Sequence, residues 1–187
     1  MIGAITAGLY AGGVPPVTNS YESIATVSLG SSQATISFSS IPSTFKHLQL
    51  RLILKDDRAL NRDSVLMRFN SDSGNNYSEH QLYGDGSAAA AQATTSTSRM
   101  SIYRASGNSG ATDIFGAIVV DVLDYQNTNK YKTMRFLGGV DFNGSGEVWF
   151  GSGLWQSTTA VNAITLTPAN GSNFLTYSHA ALYGIKG

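Results

Sequence analysis

His47-Leu48-Gln49-Leu50-Arg51-Leu52-Ile53-Leu54-Lys55 decides the fold class. Leu48, Leu50, Leu52 and Leu54 fall on one face of an extended chain, while His47, Gln49, Arg51 and Lys55 fall on the other, the pattern of a half-buried β-strand. Ten further stretches repeat the theme, with short apolar runs bounded by Gly, Ser, Asn and Asp: 22–29, 35–39, 64–70, 79–83, 99–105, 114–123, 131–140, 147–154, 160–167 and 174–185. Some ten strands in 187 residues predict an all-β protein, a jelly-roll-like antiparallel β-sandwich. Helix signals are weak. The alanines of 87–93 lie between Gly84-Asp85-Gly86 and Thr94-Thr95-Ser96-Thr97-Ser98, so 84–98 reads as a long flexible loop facing solvent, a partner subunit or a ligand.

Outward from these strands the chain divides into an extended N-terminal arm, 1–20, and a β-sandwich domain, 21–187. The arm is apolar and rich in small residues, and Pro15-Pro16 forces an extended path across 14–17. Ile2, Ile5, Leu9, Tyr10 and Val14 are costly to leave in water, so the arm is expected to become ordered on a neighbouring subunit. Its apolar first dozen residues, 1–12, lack the positive start of a secretory signal and fall short of a membrane span. At the other end, Ser178-His179-Ala180-Ala181-Leu182-Tyr183-Gly184-Ile185-Lys186-Gly187 closes a strand and the polypeptide almost together, so the last strand is expected inside the sheet.

Charged residues make up 13% of the chain, and twelve basic residues balance twelve acidic ones. No long-range field therefore draws the protein to nucleic acid or anionic lipid, and neither is an expected partner. The densest basic segment, Arg51, Lys55, Arg58, Arg62 and Arg68, is interleaved with Asp56, Asp57 and Asp63 and reads as a self-neutralising loop or interface patch. Cysteine is absent, which removes disulfides and thiolate zinc sites.

Tests for chemistry return turn and core residues. His47, His80 and His179 fall in predicted strands, and Gly151-Ser152-Gly153, the nearest approach to a nucleophile elbow, reads as a strand break between Phe150 and Leu154. Asp121 and Asp124 suit a strand end and a turn. The stretches 70–76 and 141–147 place oxygen ligands at alternate positions, yet neither completes a calcium loop. No catalytic residue, metal or cofactor is therefore expected. Among nineteen aromatic residues, Tyr83, Trp149 and Trp155 are candidate contacts to a glycan or a subunit, with the core or a subunit contact the expected place of the two tryptophans.

Four segments carry a resemblance: 20–27 (SYESIATV), 41–49 (IPSTFKHLQ), 124–133 (DYQNTNKYKT) and the C-terminal 178–187. Over 21–187 the chain resembles small virion structural proteins of tailed bacteriophages. This implies a non-enzymatic capsid decoration, or cement, protein on the exterior of the head, a homotrimer that clamps neighbouring copies of the major capsid protein. On that reading Ile2, Ile5, Leu9, Tyr10 and Val14 are the capsid-binding anchors. The alternative is a tail-fibre-associated adhesion module that binds host-surface glycans through Tyr83, Trp149, Trp155 and the 84–98 loop.

Overall fold

A computed structural model describes residues 20–187, so the arm anchors Ile2, Ile5, Leu9, Tyr10 and Val14 lie outside the described residues. The described residues form twelve strands and no helix. In chain order they are β1 (Tyr21–Ser28), β2 (Ile36–Phe38), β3 (His47–Leu54), β4 (Arg62–Phe69), β5 (Tyr77–Gly84), β6 (Ala89–Thr97), β7 (Met100–Ser106), β8 (Gly116–Leu123), β9 (Lys132–Asp141), β10 (Gly146–Trp155), β11 (Ile164–Pro168) and β12 (His179–Ile185). Eight make one antiparallel sheet, β1-β12-β3-β8-β9-β10-β5-β6, and four make a second, β2-β11-β4-β7. The first strands pair with the last, β1 with β12 and β2 with β11, so the chain wraps into a jelly-roll-like sandwich with β12 inside the larger sheet.

The alternation of β3 is realised in space. Leu48, Leu50, Leu52 and Leu54 point into the core and are at most 2% exposed, and each such burial is worth roughly 1.5–3 kcal/mol. They meet Val65, Met67 and Phe69 of β4 and Ile164 and Leu166 of β11 in one continuous cluster between the sheets.

Several expectations are corrected. The 84–98 segment is not a loop: Ala89–Thr97 is a strand paired along β5. Gly151-Ser152-Gly153 does not break β10, which runs unbroken from Gly146 to Trp155. A Cβ at Gly151 would lie 2.3 Å from the Phe136 ring, and one at Gly153 would lie 2.5 Å from Met100 Sδ, so these glycines admit core side chains. Lys55 follows the last residue of β3 and is buried. Its Nζ donates to the carbonyls of Ala111 (2.6 Å), Gly110 (3.4 Å) and Ile114 (3.5 Å).

The basic segment between β3 and β4 is self-neutralised within the fold. Arg58 Nη1 pairs with Asp63 Oδ1 at 3.1 Å, and Arg62 Nη1 with Glu147 Oε1 at 3.1 Å. Asp57 and Asp63 also clasp the β11–β12 loop. Asp57 accepts the N–H groups of Ser172 (2.6 Å) and Asn173 (3.1 Å), and Asp63 those of Asn170 (2.8 Å) and Gly171 (2.9 Å). Burial alone would raise the Asp63 carboxyl, but these donors outweigh it and hold it below the usual carboxylate range.

Asp56, beside this clasp, behaves in the opposite way. It is fully buried, and its Oδ2 has no hydrogen-bond partner among the described residues. Burial, and then the charge of Asp63, push its carboxyl up to about 7. The folded state therefore keeps a proton that the unfolded chain gives up near pH 4, so this contribution to stability is present in acid and is lost as pH rises through about 7. Thermal unfolding between pH 4 and 9 should show wild type losing stability up to about pH 7 and levelling off above it, while Asp56→Asn, which mimics the protonated carboxyl, loses less. By pH 9 the variant is expected to be the more stable by on the order of a few kcal/mol. Parallel wild-type and variant curves would refute this assignment.

Candidate functional site: an apolar strip on the outer sheet face

The larger sheet buries one face against the smaller sheet and turns the other outward. On strands β8, β9, β10 and β5 the outward positions include large apolar side chains, out of phase with the core. Register brings them together: Val119 lies opposite Leu137, Leu137 opposite Phe150, Phe150 opposite Leu82, and Leu82 opposite Ala91 of β6. Four large side chains thus line up across four strands, a span of about 14 Å at ~4.8 Å per step. A parallel row two residues along contributes Ile53 and Val148, flanking Ala117 and Gly139. Leu137 and Val148 are each 56% exposed, Leu82 55%, Phe150 53%, Ile53 50% and Val119 39%.

The opposite border of the strip is polar. Gln49, Asp121, Arg135, Ser152 and His80 form the next row, in register. Gln49 Nε2 donates to Asp121 Oδ1 at 2.9 Å, and Arg51 Nε to Gln49 Oε1 at 3.0 Å, so the border groups satisfy one another. Two shallow hollows flank the strip. One of about 570 Å³ is lined by Ile53, Val119, Leu137, Val148, Arg51 and Tyr183; the other, of about 560 Å³, by Leu82, Ala91, Phe150, His80 and Ser152. Known protein–protein interfaces share an apolar centre beside a polar border.

Beneath the strip the sheet is held by aromatic packing. The Trp149 indole is sandwiched between the rings of Tyr83 and Tyr103, each 4.0 Å away between centroids and nearly parallel. Glu147 accepts from Trp149 Nε1 (2.7 Å) and Arg104 Nε (2.6 Å), and the Arg104 guanidinium sits 4.6 Å from the Trp149 ring centroid. Trp155 stacks on Tyr77 and donates its Nε1 to Asp72 Oδ2 at 2.7 Å.

These contacts place both tryptophans in the core, the first of their expected roles, and correct the glycan reading of the aromatic candidates. Trp149 and Trp155 are each 2% exposed, so neither offers a face to a sugar ring, and Tyr83 is half-buried against Trp149. Outward-facing Phe150 and Val148, their neighbours in sequence, are what β10 presents.

The residues tested for chemistry are not assembled. His47 Nδ1 accepts the N–H of Asp124, while His80 and His179 lie on the outer face in different rows. Asp124 occupies a turn at φ 48°, and hydrogen bonds from Lys130 and then Lys46 hold its carboxyl down to about 2. In the 70–76 turn both Asp72 oxygens accept N–H donors, from Gly74, Asn76 and Trp155. The 141–147 stretch is a hairpin turn with Asn143 and Gly144 at positive φ. Among the described residues no three His, Asp or Glu side chains gather to hold a metal.

No family model matches the chain, and no curated protein matches it. Among solved structures, the Caenorhabditis elegans galectin LEC-6 aligns over 91% of this chain and 98% of its own, with 10% identity and a TM-score of 0.32.

Proposed function

We propose that this protein is a non-enzymatic structural component of a tailed-phage virion, a decoration protein seated on the outside of the head. Its outer strip would rest on neighbouring copies of the major capsid protein, and several copies acting from one homo-oligomer, a trimer on this reading, would clamp them against the pressure of packaged DNA. The observation that carries the proposal is the in-register row Val119, Leu137, Phe150 and Leu82, held half in water by a rigid sheet. The sequence resemblance of 21–187 supplies the class of partner. The glycan-binding alternative is weaker, because two of its three aromatic candidates are buried.

A density map of the intact particle tests the placement. The sandwich is expected on the outer capsid surface with β8, β9 and β10 against the shell. A map placing it on the tail, or on the head with this face toward solvent, would overturn the proposal.

A further inference from the structure

Each sheet has two edge strands, and three of the four are blunted by recognised means. β2 is only three residues long. β1 carries a register shift between Ser23 and Ala25, and Glu22 on it pairs with Lys186. The free edge of β7 is plugged by side chains from the facing sheet: Ser101 N donates to Glu79 Oε2 at 2.6 Å, and its carbonyl accepts from Gln81 Nε2 at 3.1 Å. β6 has none of these until its far end. It is nine residues long, contains no charge and no proline, is exposed at every position from Ala89 to Ser96, and pairs with β5 without interruption from Ala89 to Thr94.

The chain carries a segment that suits this edge. Residues 1–19 contain no charged side chain, and Ile2, Ile5 and Leu9 precede Pro15-Pro16, so the apolar part keeps its backbone donors. The arm joins the sandwich at β1, the opposite edge of the same sheet from β6. Reaching its own β6 would mean crossing seven strand spacings, about 34 Å, with an arm that spans at most ~60 Å. A neighbouring copy whose β6 lies beside that β1 edge requires no such crossing.

We propose that the arm of one copy adds to β6 of a second copy as an outermost strand, joining protomers head to tail. Main-chain hydrogen bonds would supply affinity that uncharged, small side chains cannot, and a head-to-tail contact of this kind closes into a ring when its rotation allows.

The absence of cysteine makes the test clean. Single-cysteine proteins Ile2→Cys, Ile5→Cys and Leu9→Cys are each mixed with Ala91→Cys protein, or with Leu60→Cys protein as a control at an exposed loop position. Disulfide-linked dimers through Ala91→Cys are expected to form at least tenfold faster than through Leu60→Cys for one or more arm positions. Equal rates would overturn the proposal. So would an intrachain disulfide as the main product of Ile5→Cys/Ala91→Cys in one chain, which would place the arm on its own edge. Light scattering gives a second reading: deletion of 1–14 should convert an oligomer to a folded monomer, and an unchanged mass would equally overturn it.

Discussion

Lys132→Met is expected to lower the melting temperature by roughly 10 °C, the largest loss of stability of any single substitution considered for this protein. The Lys132 side chain is fully buried, and its Nζ donates to three carbonyls: Asn127 (2.7 Å), Lys130 (3.0 Å) and Thr158 (3.0 Å). These belong to the β8–β9 and β10–β11 loops, so one ammonium group ties two connections to the end of the larger sheet. Methionine fills the volume but leaves three acceptors without their donor. Each unsatisfied buried group costs roughly 1–3 kcal/mol, partly offset because a buried charge is removed, for a net loss of about 3 kcal/mol. Burial lowers the Lys132 pKa, and the charge of Lys130 lowers it further, so the cation already bears a desolvation cost that the three carbonyls compensate. Lys130→Met, at a side chain 54% exposed, is the matched control and should cost under ~0.5 kcal/mol. Thermal unfolding of the two variants separates them; a Lys132→Met midpoint within about 2 °C of wild type would remove the capping role.

The strands were legible where an apolar face alternates with a polar one, as in β3, because burial on one side imposes a period of two. β6 escaped because an edge strand exposed on both faces needs no apolar alternation; backbone pairing to β5 suffices, and a run of Ala and Thr leaves no periodic trace. Lys55 and Lys132 illustrate a second limit. Each ends among loop carbonyls brought together only by the tertiary fold, and nothing in the neighbouring sequence signals a buried cation. For the site, the signal lay in β10, and only the glycan reading of it fell on buried residues. Val148, Trp149 and Phe150 are apolar on both faces of one strand, so one face had to lie outside the core. The larger indole went inside, where Tyr83 and Tyr103 stack on it, and the smaller side chains stayed outside.

If the outer strip is the capsid seat proposed above, charging it abolishes attachment while sparing the fold. Six side chains, Ile53, Leu82, Val119, Leu137, Val148 and Phe150, keep about half their surface in water, so covering them yields roughly 0.7–1.5 kcal/mol each, about 4–9 kcal/mol in all. Association itself costs roughly 4–15 kcal/mol, so one copy would hold weakly and an oligomer would hold through several seats at once. Leu137→Glu/Phe150→Glu removes two of the contacts and forces two carboxylates out of water, a loss of at least ~3 kcal/mol per seat and more than 100-fold in affinity. Both side chains face solvent in the free protein but are direct cross-strand partners, so the paired carboxylates repel and the melting temperature should fall by several degrees without loss of the fold. Leu60→Glu, in the exposed β3–β4 loop, controls for added negative charge.

On the proposed reading, co-sedimentation with tailed-phage heads that lack this protein tests the central claim most directly. Wild type and Leu60→Glu are expected to pellet with the heads, and folded Leu137→Glu/Phe150→Glu to stay in the supernatant. Pelleting of the double variant at the wild-type level would contradict the assignment of the outer strip as the capsid-binding surface.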